Sequence, residues 1–172
     1  MLNSEGLVDI RLNKGAYVAE PPLDNVFHMF EAMGIMEGNC ARLACERLAD
    51  ADLAELEKLH ENLEEHYKNG DQESYMDCNH VYHTFVQEKA GNPVLSKMVS
   101  NLRDVILLHR YRQIYRPGRF SESMEEHRRL IEAFRARDGE RAERLMRAHL
   151  EKQGLALVSY YAELGFKKVQ DN

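Results

Sequence analysis

Several residue types that define other protein classes are scarce or missing in this chain. It contains no tryptophan, four prolines and three cysteines. Cys40, Cys45 and Cys78 are odd in number and form no CxxC pair, so they are interpreted as reduced thiols acting as small buried hydrophobes. No run of 18 apolar residues and no charged-then-apolar leader occurs, so neither a transmembrane helix nor export is expected. These absences favour a soluble, cytoplasmic protein.

What the chain does contain is enough for one substantial domain. It has 172 residues, of which 44% are hydrophobic, and a formal net charge of −6. A chain of this length can bury a real core. The negative net charge argues against these residues binding a nucleic-acid backbone over a broad surface by themselves.

The first twenty residues differ in pattern from the rest. Apolar and polar residues alternate around 7–10 and 16–18, on either side of the turn sequence Asn13-Lys14-Gly15. This pattern predicts a short β-hairpin. Pro21 and Pro22 cannot continue a sheet ladder, and Asp24 can cap a helix.

From Asp24 onward, apolar positions recur at helical spacing. The predicted fold is all-α, an antiparallel bundle of about six or seven helices over residues 21–170, preceded by the hairpin in residues 1–20. Two capping boxes are expected to open the second and fifth helices, at Asp52-x-x-Glu55 and Ser123-x-x-Glu126. The other predicted breaks are Asn69-Gly70-Asp71, Gly91-Asn92-Pro93, Pro117-Gly118 and Asp138-Gly139.

Polar residues interrupt the inward stripe of the third predicted helix. Asn79 and His83 are four residues apart and therefore lie on one face, one turn from each other. The following two helices place His127 and His149 on their own apolar stripes. The midpoint of these two positions is residue 138, at the predicted turn. In an antiparallel hairpin both would stand about 16 Å above that turn and face each other.

These four inward-facing side chains could together surround a metal ion. Asn79 and His83 lie one above the other on one helix, and His127 and His149 lie at the same height on two others. Neutral imidazole is a common ligand of transition metals, and three histidines plus an oxygen donor leave coordination positions open. Each histidine taken alone is also explained as a core residue with a hydrogen-bond partner. His60 and His109 lie on or near apolar stripes too, so stripe membership alone does not decide. Sequence geometry leaves both interpretations open.

Three stretches together resemble a known family. "NHVYHTFVQEKAGNPVL" and "SMEEHRRLIEAFRARDGERAERLMRAHL" resemble the two signature stretches of the ligand-sensing FCD domain (named for the C-terminal domain of the fatty-acid-responsive repressor) in GntR-type transcriptional regulators. "EGLVDIRLNKGAYVAEPP" resembles the closing wing of the winged helix-turn-helix that precedes that domain. The order of the motifs and the histidine spacing, from 83 to 127 to 149, fit as well.

The resemblance implies a metal site and an effector. Its ligands would be Asn79, His83, His127 and His149, holding a divalent metal ion, with zinc favoured and nickel, manganese or iron as alternatives. The effector would be a small carboxylate that completes the coordination. Arg103 and Ser123 are named as further candidates for effector contact.

The resemblance also implies partners, and this chain differs from the family pattern at three positions. A homodimer is expected, and DNA binding would use a winged-helix region that is mostly absent from this chain. The family more often has Asp where this chain has Asn79, Arg where it has Met33, and Phe where it has Tyr82. An amide oxygen is a neutral and weaker donor to a hard cation than a carboxylate.

Two other functions compete with that of a sensor. A metal-dependent hydrolase could activate water at the same open site, but no general base is evident, since Glu88 and Glu126 fall beside the inward stripes. A purely structural dimerisation bundle would keep the histidines as satisfied core residues. The prediction is therefore a metal-containing effector-binding and dimerisation domain of a transcriptional regulator, and not an enzyme.

Overall fold

The chain forms a bundle of helices, as predicted. A computed structural model describes residues 8–11, 15–18, 23–110 and 112–163. A short 3-10 helix, Arg112–Tyr115, lies between the fourth and fifth α-helices. The α-helices are α1 (Leu23–Arg47), α2 (Asp50–Lys68), α3 (Gln72–Lys89), α4 (Pro93–Arg110), α5 (Arg119–Arg135) and α6 (Gly139–Glu163).

Two short strands precede the helices. β1 (Val8–Arg11) and β2 (Gly15–Val18) pair antiparallel, with Val8 opposite Val18 and Arg11 opposite Gly15. The predicted turn residues Asn13 and Lys14 lie outside the described residues. Two paired strands alone do not identify a winged helix, so the wing remains a prediction.

The two longest helices, α1 and α6, pack against each other along most of their length. Small residues allow this close approach. A Cβ added at Gly38 of α1 would lie 3.0 Å from the carbonyl oxygen of Glu143, and one added at Gly154 of α6 would lie 2.8 Å from the Cβ of Phe30. A Cβ would be crowded at Gly38 and would clash at Gly154, so these glycines allow the two backbones to lie this close.

The core fills the space between these two helices and α2, α3 and α5. It is built from the stripes that the sequence predicts, including Phe30, Met33, Leu130, Phe134 and Met146, all at most 1% exposed. Arg would be the family's more common residue at the Met33 position, where this chain buries a thioether. The predicted metal ligands therefore lie among packed apolar side chains, which hold polar groups in fixed positions.

Both predicted capping boxes were wrong in position. Helix α2 begins at Asp50, with Ala49 as its N-cap, and Asp52 is already inside it, accepting the backbone N–H of Ala49 at 3.1 Å. Helix α5 begins at Arg119, directly after Gly118, whose φ of 83° lies in the left-handed region. A left-handed glycine turns the chain sharply enough for the helix to start at once.

The end of the fourth helix also differs from the prediction. The fourth helix was predicted to run to the break at Pro117-Gly118, but α4 ends at Arg110 and the 3-10 helix follows. Apolar spacings of three and four residues do not distinguish an α-helix from a 3-10 helix.

Among the described helices, none combines the length and the apolar character needed to cross a bilayer.

Candidate metal centre

The four residues predicted to surround a metal ion do come together. Asn79 and His83 lie on α3, His127 on α5 and His149 on α6, and all four are at most 1% exposed. The ring centroids of His127 and His149 are 4.8 Å apart, which confirms the level placement expected from the hairpin. One ligand atom from each of the three histidines can be chosen so that all lie within 4.8 Å of one another.

The ring of His83 is oriented by a buried carboxylate. Its Nδ1 lies 2.7 Å from Oε2 of Glu37 on α1. Arg103 of α4 holds the same carboxylate with two hydrogen bonds, from Nε to Oε1 at 2.9 Å and from Nη2 to Oε2 at 2.7 Å. Burial alone would raise the pKa of Glu37, but Arg103 and His83 hold it well below its usual range. Glu37 is therefore a carboxylate, and the proton of His83 sits on Nδ1.

The ring of His149 is oriented in the same way from the other side. Its Nδ1 lies 2.7 Å from Oε2 of Glu126 on α5. Arg119, which is fully buried, donates to both oxygens of Glu126, at 3.0 and 2.7 Å. Burial acts to raise the pKa of Glu126, but the hydrogen bond from His149 and the charge of Arg119 lower it to about 2. Gln113 accepts the remaining Nε–H of Arg119 at 2.9 Å.

The third ring meets an amide instead of a carboxylate. Nε2 of His127 lies 2.7 Å from Oδ1 of Asn79. An amide oxygen can only accept, so Nε2 carries the proton in this contact and Nδ1 carries the lone pair. The ring also packs edge-on against Tyr82, with centroids 4.9 Å apart.

The buried histidines are neutral, which leaves lone pairs for coordination. Burial is the main cause that lowers the pKa of His83 to about 3, that of His149 below its usual value, and that of His127 far below. Neutral imidazole is the form that binds a metal ion. Hydrogen bonding of Nδ1 to a carboxylate is the arrangement that fixes metal-binding histidines and raises their basicity.

Several buried polar atoms at this centre have no hydrogen-bond partner. They include Nε2 of His83, Nδ1 of His127, Nδ2 of Asn79 and Oε1 of Gln153. Such atoms are rare in native proteins, and an ion is one explanation for a cluster of them. Ligands at 2.0–2.2 Å from one zinc ion lie roughly 3–3.5 Å apart. Ligand atoms that are up to 4.8 Å apart would therefore need to approach one another by up to roughly 1.3–1.8 Å. The residues present therefore fit a divalent metal ion.

The two candidates for effector contact have different surroundings. Arg103 is 4% exposed and paired with Glu37, and it borders a cavity of about 310 Å³ that His80, Gln87 and Ser100 also line. Ser123 is 2% exposed, and its Oγ lies 2.9 Å from the hydroxyl of Tyr75. Ser123 is therefore a buried hydrogen-bond partner of Tyr75 and does not cap a helix.

Sequence reasoning missed the residues that orient the rings. Glu37 and Glu126 were not assigned to the site, and Glu126 was placed beside the inward stripe, whereas it is 8% exposed and bonded to His149. A signal was available for Glu37, because an acidic residue lies on the apolar stripe of α1 between Met33 and Cys40. Gln153, whose Nε2 lies 2.7 Å from Nε2 of His149, falls on the inward stripe of the sixth helix four residues after His149, but it was not assigned to the site.

Comparison with known proteins identifies relatives for most of the chain. The model of the FCD domain family matches residues 28–152. The HTH-type transcriptional regulator McbR of Escherichia coli (strain K12) is 29% identical over 118 residues, which cover 67% of this chain and 53% of McbR. The galactonate operon transcriptional repressor of the same organism is 29% identical over 119 residues, covering 67% of this chain and 50% of the repressor.

Solved structures show the same fold. The structure of E. coli McbR/YncC superimposes with a TM-score of 0.75 at 24% sequence identity, covering 94% of this chain and 80% of that one. At this identity the likeness concerns the fold alone. The chain spans about half the length of McbR and of the galactonate operon repressor.

Proposed function

This chain belongs to the FCD domain family, and we propose that it is the metal-containing effector-binding and dimerisation domain of a GntR-type transcriptional regulator. The observation that carries the proposal is the convergence of His83, His127 and His149, from three helices, at a buried centre. Carboxylates orient two of the rings so that their Nε2 atoms carry lone pairs. A merely structural histidine cluster has no need for that arrangement.

Asn79, His83, His127 and His149 would hold the ion. Zinc suits three imidazoles best, and nickel, manganese and iron are the alternatives. The bound ion would supply positive charge and Lewis acidity that attract an oxyanion. Glu37 and Glu126 would keep two of the rings in the coordinating tautomer.

The effector that we propose is a small carboxylate. One relative is named for the galactonate operon, and galactonate is itself a carboxylate. Arg103 is the better supported of the two candidates for effector contact, because it also lines a cavity. Ser123 is buried and bonded to the hydroxyl of Tyr75, which makes it the weaker candidate.

Regulation would then follow from how the helices are held together. The proposed ligands lie on α3, α5 and α6, and Glu37 ties α1 to the same centre. An effector that favours one packing of these helices shifts the population toward it. Residues 1–20, proposed as the wing of a winged helix, would pass that shift to DNA in a cytoplasmic homodimer.

A hydrolase is disfavoured by the same geometry. A general base must be free to take a proton from the attacking water. Glu37 and Glu126, the carboxylates bonded to the histidines, are each held by an arginine through two hydrogen bonds. They serve to position the rings, and the sensor is the better supported function.

Metal content tests the proposal directly. The protein and the variant His83→Ala plus His127→Ala are purified without chelator and analysed for zinc, nickel, manganese and iron. His28→Ala plus His66→Ala, on α1 and α2, is the matched control. We expect about one metal ion per chain in the protein and the control and a loss in the first variant. Equal metal in all three would show that the centre is not the site.

A further inference from the structure

The buried charges around the centre already balance before any ion is added. Among the residues whose side chains are described, the buried acidic ones are Glu37 and Glu126, and the buried arginines are Arg103 and Arg119. Each carboxylate is paired with one guanidinium. Lys152 adds a positive charge from the surface, with Nζ 3.2 Å from Oε1 of Glu126.

The proposed ligands themselves add no negative charge. Three are neutral imidazoles and the fourth is the amide of Asn79. A divalent cation at this centre would keep its full charge in a site from which water is largely excluded. Burying a charge without a partner of opposite sign is costly. The cost is larger here than it would be with a carboxylate at position 79.

We infer that Asn79 makes metal binding depend on an anion: a divalent metal ion and a small carboxylate bind as a pair, each raising the affinity for the other. The carboxylate supplies the negative charge that the side chain at position 79 does not. Thermodynamic linkage requires the effect to be reciprocal, so the metal ion must raise carboxylate affinity by the same factor. The inference rests on the proposed function and specifies the chemistry of its effector.

A change at one atom tests the inference. Asn79→Asp keeps the size of the side chain and the oxygen 2.7 Å from His127, and it adds the missing charge. Asn62→Asp, an exposed position on α2, is the matched control for the change in net charge. Zinc dissociation constants of the three metal-free proteins are measured by competition with a chromophoric chelator, at fixed pH and ionic strength, in sodium perchlorate with and without sodium acetate.

The expected result is a difference in acetate dependence. Couplings between two bound ligands are typically 5- to 150-fold, so acetate should tighten zinc binding by the wild type and by Asn62→Asp by about tenfold or more. Asn79→Asp should bind zinc about tenfold more tightly than the wild type without acetate, and acetate should change its affinity by less than about threefold.

Other outcomes separate the inference from the proposed function. Zinc binding that is tight and independent of acetate in the wild type overturns the inference and leaves the metal site standing. An acetate effect of the same size in Asn79→Asp overturns the role given to Asn79. No zinc binding in any variant, with or without acetate, overturns the proposed function as well.

A second measurement does not require the variant to fold. The melting temperature of the wild-type protein is recorded with acetate alone, zinc alone and both. If the two bind as a pair, acetate raises the melting temperature only when zinc is present, because a ligand stabilises the form that it binds. An equal rise without zinc overturns the inference.

Discussion

The side-chain nitrogen of Gln153 donates to Nε2 of His149 across 2.7 Å, one turn further along α6. This is the nitrogen that would face a metal ion, because Glu126 occupies Nδ1. Gln153 therefore competes with an ion for the same lone pair. Its own Oε1 is buried without a partner, so this contact leaves the glutamine only partly satisfied.

Replacing Gln153 by leucine should strengthen metal binding while weakening the metal-free protein. Releasing a hydrogen bond worth about 0.5–1.5 kcal/mol corresponds to a gain in zinc affinity of roughly two- to tenfold. The same change leaves Nε2 of His149 without a partner and should lower the metal-free stability by about 1–3 kcal/mol. Chelator competition and urea unfolding measure the two effects. Weaker zinc binding would instead mean that Gln153 is itself a donor to the ion.

Glu37→Gln should reduce zinc affinity by about 10- to 100-fold, the usual effect of removing a residue that orients a ligand. The amide cannot accept as strongly from Nδ1–H of His83, and it leaves Arg103 buried without its counter-charge. Stability should fall by about 3–5 kcal/mol, since a broken buried pair leaves an unpaired charge. Competition titration and urea unfolding measure both quantities.

A double variant separates the two consequences of that change. Glu37→Gln with Arg103→Met removes both charges and should recover part of the stability without recovering zinc affinity. Zinc affinity that returns with stability would show that Glu37 acts on the fold and not on the ring of His83.

The sequence predicted the part of this centre that follows from a single helical hairpin. His127 and His149 are equally far along the chain from the turn at Asp138-Gly139. In two antiparallel helices, residues equally far from the turn lie side by side, so the two rings come together. Helical periodicity likewise places Asn79 and His83 on one face of α3, and the family resemblance implied that this face meets the hairpin. None of these steps requires knowing how distant helices rotate against one another.

Glu126, which was missed, lies on the same hairpin as His149, but the placement of Glu37 depends on such rotations. Glu37 reaches His83 only because α1 turns that face toward α3, and Arg103 reaches Glu37 from α4. Helical periodicity places a residue on a face but leaves open which of several neighbouring helices covers that face. The start of the fifth helix was predicted wrongly for a local reason. Ser123 and Glu126 match the sequence of a capping box, but the hydroxyl of Ser123 bonds to Tyr75 in the core.

The three thiols should react slowly in the folded protein. Burial is the main cause that raises the pKa of Cys40 to about 12, that of Cys78 to about 11, and that of Cys45 above its usual value. The thiolate is the reactive form, and at pH 8 a thiol of pKa 12 is ionised to only about one part in ten thousand. Mass spectrometry after iodoacetamide treatment should show little modification in buffer and three adducts in urea. Rapid labelling of Cys40 in buffer would contradict the packing around α1.

The last prediction concerns the contact between α1 and α6 beside the centre. Gly154 follows Gln153, and a Cβ at this position would lie 2.8 Å from the Cβ of Phe30. Gly154→Ala should therefore push the two helices apart, and this strain should outweigh the better helix propensity of alanine, with a net loss of about 1–3 kcal/mol. Leu155→Ala, at the next position with a side chain 55% exposed, is the control and should change stability by less than about 0.5 kcal/mol.

Because α6 carries His149, Gly154→Ala should also weaken zinc binding. Urea unfolding and chelator competition test both effects, and a variant as stable as the wild type would mean that α1 and α6 are not packed this closely.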